Sequence, residues 1–120
     1  MKNILIIDDN KDITELYKTI LESAGHKCIT VNDGKGGLEA LQTKSFDLTL
    51  LDLAMPGMSG IDVLDIIKND PNLKSSRILV ITASAPQDVE VKRIKKEYGV
   101  LDIVKKPINK VNLLQIVEMY

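Results

Sequence analysis

An α/β fold, a parallel sheet covered by helices on both faces, is predicted by three observations on this chain of 120 residues. Short β-branched runs alternate with segments of helical periodicity, five times over, which is the pattern of repeated strand–helix units. The first run, Ile4 to Ile7, is apolar without interruption, as expected of a central strand shielded on both sides. The composition, 44% hydrophobic and 28% charged, suits one globular domain with a single sizeable core, so one domain over residues 1–120 is expected.

Each element follows in order. Ile4 to Ile7 is the first strand, and Ile13, Leu16, Tyr17, Ile20, Leu21 and Ala24 recur at the spacing of a helix that Gly25 stops. Lys27 to Val31 is the second strand. The helix after it, around Leu38 to Leu41, is weak, because Gly34, Gly36 and Gly37 burden its start with backbone entropy; its first turn is expected to fray. Phe46 to Leu51 is the third strand, followed by a helix with Ile61, Val63, Leu64 and Ile67 on its apolar face, which Pro71 must end or closely follow. Ile78 to Ile81 is the fourth strand. A helix from about Pro86 to Tyr98 places Val89, Val91 and Ile94 on its apolar side, with Pro86 suited to the first turn and Gly99 closing it. Leu101 to Val104 is the fifth strand, and a last helix from about Lys110, N-capped by Asn109, turns Val111, Leu114 and Val117 inward.

Several function classes are disfavoured by the same sequence. A net charge of −1 gives no basic field for phosphate backbones, so direct nucleic-acid binding is not expected. Lys92, Arg93, Lys95 and Lys96 read first as a solvated helix face and only second as a partner-docking surface. No apolar run approaches eighteen residues and the apolar stretch after Met1 is too short for a signal segment, so neither export nor membrane insertion is expected. Cys28 is the single cysteine and lies in the apolar run CITV, which suggests a buried hydrophobe in a reducing cytoplasm. His26 and Cys28 make no zinc cluster.

The chemistry gathers just after the strands, where ligands of open parallel sheets bind. Asp8 and Asp9 follow the first strand, Asp52 the third, Thr82 the fourth, and Lys105, Lys106 and Pro107 the fifth. If the strand order is 2-1-3-4-5, the first and third strands are neighbours and the three acids would meet. Carboxylates crowded in this way either raise a pKa or acquire a cation. Magnesium, which takes oxygen ligands and keeps several waters, is the economical one. In the stretch LLDLAMPGMSG, the apolar strand fixes the backbone of Asp52, and the Pro-Gly turn lets the chain fold back so that backbone groups face it.

Four motifs in order, IDDN, LLDLAMPGMSG, ITAS and VKKPIN, each at a strand end, resemble the receiver domain of bacterial two-component response regulators over essentially the whole chain. The resemblance implies a flavodoxin-like (βα)5 sheet of order 2-1-3-4-5. It implies that Asp52 is the phosphoacceptor, and that Asp8 and Asp9 hold Mg2+ together with Asp52 and the backbone carbonyl of Ala54. Thr82 then corresponds to the hydroxyl that turns toward the phosphoryl group, and Lys106 to the lysine that pairs with its oxygens across a Lys-Pro bond that is usually cis in the family. Implied partners are a sensor histidine kinase or phosphotransfer protein and a downstream protein target or output domain, with a phosphorylation-induced dimer as a further state. Such a protein is cytoplasmic and is no enzyme beyond its own phosphotransfer and dephosphorylation.

The chain also departs from that family. Ile103 stands where a Tyr or Phe usually acts as a rotating switch, so aromatic gating is not expected. Ala54 stands where a polar or long side chain often controls access of hydrolytic water. Three rival readings are a degenerate receiver that only binds protein, a magnesium-dependent phosphohydrolase of the haloacid-dehalogenase type, and a flavodoxin-like electron carrier. The second needs another Asp where Ala54 stands. In the third, Asp8 and Asp9 would repel the cofactor phosphate.

Overall fold

A computed structural model describes residues 1–83 and 87–120. Strands β1 (Asn3–Ile7), β2 (Lys27–Val31), β3 (Leu48–Leu51), β4 (Ile78–Thr82) and β5 (Asp102–Lys105) form one sheet in the order β2-β1-β3-β4-β5, with every pairing parallel. Helices α1 (Lys11–Ser23), α2 (Gly34–Thr43), α3 (Gly60–Asn69), α4 (Asp88–Tyr98) and α5 (Lys110–Met119) connect and cover them. The predicted fold class and strand order both hold.

Alternation along the strands divides the core in two. Ile4, Ile6, Leu48, Leu50, Leu79 and Ile81 pack with Tyr17 and Leu21 of α1 and Leu113 and Val117 of α5. Leu5, Ile7, Leu51, Ile78 and Val80 pack with Leu38 of α2, Val63, Leu64 and Ile67 of α3 and Ile94 of α4. An uninterrupted apolar run is what a strand between two such cores requires.

Local chemistry explains where the elements differ from expectation. The third strand begins at Leu48 rather than Phe46: Asp47 already grips Asn3, its N–H on the Asn3 carbonyl at 2.8 Å and its carboxylate on the Asn3 N–H at 2.7 Å. Helix α2 starts at Gly34 with its first turn formed and N-capped by Asp33, whose carboxylate accepts from Gly36 N at 2.6 Å. Its glycines serve packing. A Cβ on Gly37 would stand 2.5 Å from Ile7 Cδ1, and one on Gly34 2.9 Å from Val63. Helix α3 carries a capping box between Ser59 and Asp62 and ends at Asn69, before Pro71. Helix α4 starts at Asp88, and the expected role of Pro86 lies outside the described residues. In α4 only Ile94 is buried, while Val89 is 79% exposed. In α5 Leu113 and Val117 face the core and Val111 is exposed, because the buried stripe runs i, i+4 from Leu113. Leu16 of α1 is likewise exposed.

Candidate functional site

The alternation that sorts the core also aims the site. Asp8 continues the parity of Ile4 and Ile6, and Asp52 that of Leu48 and Leu50, so both carboxylates emerge on the α1–α5 side of neighbouring strands. Asp52 N donates to Ile7 O at 3.0 Å, which locks the two strand ends together. Asp8 and Asp52 are only 3% and 6% exposed, whereas Asp9 is open to solvent. Carboxylate oxygens of Asp8, Asp9 and Asp52 lie within 4.8 Å of one another.

Lys106 enters from the end of β5. Its Nζ lies 2.5 Å from Asp8 Oδ2 and 3.3 Å from Asp52 Oδ2, and the Lys106–Pro107 peptide is cis. The neighbouring Lys105 is exposed. Burial pushes the Asp8 carboxyl above its ordinary range, and the charge of Asp52 adds to that push; Lys106 and the Asn10 N–H pull against it without prevailing. Burial alone would lower the Lys106 pKa, yet the hydrogen bond and charge of Asp8, with those of Asp52, raise it. Three carboxylates against one ammonium leave two negative charges uncompensated.

That surplus is the test of whether a cation fits. Three oxygen donors converge on one place, two of them fixed by buried strands, and no nitrogen or sulfur ligand is among them. The donor set therefore suits a hard divalent ion such as magnesium. Ala54 lies in the turn after β3, exposed, and its N–H donates to Asp52 Oδ1 at 3.2 Å. Thr82 is fully buried, and its carbonyl accepts from Lys106 N at 2.9 Å. Two residues beyond Val80, it follows the parity of the face covered by α3 and α4, opposite to that of Asp8 and Asp52.

Two participants escaped the sequence reading. Asn32, just past β2, donates from Nδ2 to the backbone carbonyl of Asp8 at 2.9 Å and to Thr14 Oγ1 at 3.2 Å. Gly60 opens α3 against the backbone of the site: a Cβ there would lie 2.4 Å from Asp52 O and 2.5 Å from Leu53 Cα. In the sequence Gly60 is visible only as part of a turn. The signal for Asn32 was a polar residue directly after a strand beside the first one.

The remaining candidates have other roles. His26 is buried, with Nδ1 accepting from Lys2 N at 3.1 Å and Nε2 3.0 Å from Glu118. The buried Cys28 thiol is pushed up to about 11 by burial, which suits a core residue and not a nucleophile. Ile103 of β5 packs against the α2–α3–α4 core. A cavity of about 510 Å3 beside Lys44, Asp47 and Arg77 lies among the N-terminal strand ends, away from the acids. Among the described residues, no helix is long and apolar enough to cross a membrane.

Comparison with known proteins agrees with this geometry. The family model for the response regulator receiver domain matches residues 4–118. The chain is 32% identical over 115 residues to the sensor histidine kinase GacS of Pseudomonas protegens, covering 95% of this chain and 12% of that protein. Among solved structures it resembles the chemotaxis protein CheY4 of Vibrio cholerae, with a TM-score of 0.88 and 28% identity over 99% of this chain and 98% of that one. It also resembles the response regulator TrrA of Thermotoga maritima in complex with Mg2+ and BeF, with a TM-score of 0.83 and 29% identity over 99% and 98%.

Proposed function

Because the chain belongs to the response regulator receiver family, the phosphoryl-accepting switches of two-component systems, we propose that Asp52 is the residue that takes up the phosphoryl group. The observation that carries this is the convergence of Asp8, Asp9 and Lys106 on the Asp52 carboxylate. Phosphoryl transfer needs positioning and charge compensation more than covalent help. Asp52 is held at the end of a buried strand, with Oδ1 on the Ala54 N–H, leaving a carboxylate oxygen to attack phosphorus in line. As that bond forms, the bond from phosphorus to the donor's imidazole breaks.

Asp8, Asp9 and Asp52, with the Ala54 carbonyl, would hold Mg2+, which supplies positive charge for the oxygens of the transferred group. Lys106 supplies a further positive charge from within the protein. The acyl phosphate replaces a charge of −1 by roughly −1.5 to −2, so donors are drawn inward. Thr82 lies on a fully buried strand end joined to Lys106 through its carbonyl. A shift of Thr82 toward the phosphoryl group would be passed to the start of α4 and change the partner-binding surface. With Ile103 in place of a ring, that change rests on backbone and helix movement.

Receiver domains work between histidine kinases and output targets, so a cytoplasmic kinase or phosphotransfer protein is the donor we assign. Turnover is confined to the protein's own phosphorylation and dephosphorylation. The intact acid set favours this reading over a phosphorylation-independent binding module, and Ala54 disfavours a phosphohydrolase. The test is intact mass after incubation with acetyl phosphate, with and without magnesium, on the wild type and Asp52→Asn. Gain of one phosphoryl mass that requires both magnesium and Asp52 is expected; equal gain by Asp52→Asn would overturn the assignment. A second expectation concerns lifetime. Ala54 is exposed beside the acceptor, so Ala54→Arg should alter the decay of the phosphorylated protein, and an unchanged decay rate would refute a role in water access.

A further inference from the structure

We propose that Asn32 is a positioning residue for the metal-binding acids, setting the Asp8–Asp9 peptide plane so that both carboxylates address one cation. This rests on the proposed receiver chemistry and extends it to a side chain on the edge strand's outgoing loop. The Asn32 amide has two N–H donors, and both are engaged: one on the Asp8 carbonyl at 2.9 Å, the other on Thr14 Oγ1 at 3.2 Å.

The polarity of the network is determined. Thr14 is buried, and its hydroxyl donates to Lys11 O at 3.1 Å, so its oxygen must accept from Asn32. The Asp8 carbonyl can only accept. Residue 32 must therefore present two donors on one terminal group, which an amide does and a carboxylate cannot. Asp8 is thus held from the end of β2 at both sides of its backbone, its own N–H on Val31 O at 3.2 Å and its carbonyl on Asn32.

The consequence reaches Asp9 through covalent geometry. The Asp8 carbonyl and the Asp9 N–H share one planar peptide group, so a bond that fixes the carbonyl also fixes where the Asp9 backbone starts. Asp9 needs that constraint most, because its side chain is exposed while Asp8 and Asp52 are anchored by burial and by Lys106. Partners that orient a metal ligand commonly contribute about 10- to 100-fold to affinity.

The experiment is calorimetric titration with magnesium chloride alone, no phosphodonor present, on the wild type, Asn32→Ala, Asn32→Asp and Thr14→Val. Amide NMR spectra of the metal-free proteins accompany it. Asn32→Ala should bind magnesium about tenfold more weakly or worse. Asn32→Asp should also bind more weakly, although its added negative charge alone would strengthen cation binding. Thr14→Val, which keeps the Asn32 to Asp8 bond, should bind nearly as the wild type does, whatever its melting temperature. In Asn32→Ala the Asp9 and Asn10 amide signals should move while those of Leu5 and Ile6 stay. Wild-type affinity in Asn32→Ala, or tighter binding in Asn32→Asp, overturns the positioning role and leaves the receiver reading intact. A wild type that takes up no magnesium at all overturns the metal-assisted reading of the site and this inference with it.

Discussion

Lys106→Met should lower the melting midpoint of the metal-free protein by roughly 10 °C at neutral pH, from a loss of about 3 kcal/mol at 3 to 4 °C each. The Lys106 ammonium faces two buried carboxylates, at 2.5 Å and 3.3 Å, with its own side chain 15% exposed. Methionine keeps much of the volume and removes the charge. What remains is a buried acid pair with no cation, and breaking such a set from one side costs far more than the intact pair contributes.

The pH dependence follows from Asp8. Its pKa in the folded protein is raised by burial, so the folded state binds more protons than the unfolded state between the ordinary value of 3.8 and the raised one. Stability therefore falls as pH rises through that window and is regained on acidification. Without Lys106 the contributions that hold the pKa down disappear, and the neutral-pH penalty grows. The gap between Lys106→Met and wild type should then narrow on going from pH 7 to mildly acidic conditions. Millimolar magnesium should raise the midpoint of the variant more than that of the wild type, since it replaces a missing positive charge. Circular-dichroism melts at two pH values, with chelator or magnesium, read all of this. An unchanged midpoint at pH 7 in chelator would mean that the pair is solvated and carries no such weight. In the wild type, the stabilisation from Lys106 persists through neutral pH and fades only as pH rises through its own raised pKa, above the ordinary 10.5.

The parts of this site that could be read in the sequence are those carried by strand ends. Asp8 and Asp52 follow apolar runs directly and Lys106 follows one after Lys105, and a period-two element turns a residue number into a direction. What could not be read is set by contacts between distant segments. Helical positions illustrate it: Val111 and Leu113 are both apolar, and only packing against the sheet decides that Leu113 is buried and Val111 exposed. Gly34 and Gly37 looked like helix breakers because propensity is local, whereas the close approach of α2 to Ile7 and Val63 is not. Asn32 acts on a backbone carbonyl 24 residues away, a partner without side-chain identity, so no motif could announce it. Thr82 stands at a strand end in sequence and structure alike, but its parity, opposite to that of the acids, emerges only from the register of β4.

Gly60→Ala should both destabilise the fold and cut phosphorylation, in contrast to Gly57→Ala three residues earlier. At Gly57 the backbone has φ of +75°, and a Cβ would meet nothing within 4 Å; alanine there costs about 1 kcal/mol of left-handed strain and displaces no neighbour. At Gly60 the obstruction is the main chain itself, Asp52 O at 2.4 Å, Leu53 Cα at 2.5 Å and Asp52 C at 3.0 Å. A flexible side chain could swing aside, but these atoms belong to the peptide that carries the acceptor. Gly60 N also donates to Leu53 O at 2.9 Å, so the first residue of α3 is tied to the segment it would push. Overpacking of this kind costs about 1 to 3 kcal/mol, partly offset by the better helix propensity of alanine. A melting midpoint roughly 5 °C lower is the expected net effect. The functional effect is larger. Relief of the clash must shift the backbone of Asp52 or move α3 away from it, and misplacement of a reacting group by about 1 Å costs on the order of a hundredfold in rate. Phosphorylation by acetyl phosphate, followed by intact mass at a temperature where both variants remain folded, should therefore be nearly normal in Gly57→Ala and strongly slowed in Gly60→Ala. Equal rates in the two variants would show that the turn after β3 absorbs the added methyl without moving Asp52, and that the tight seat of α3 serves stability alone.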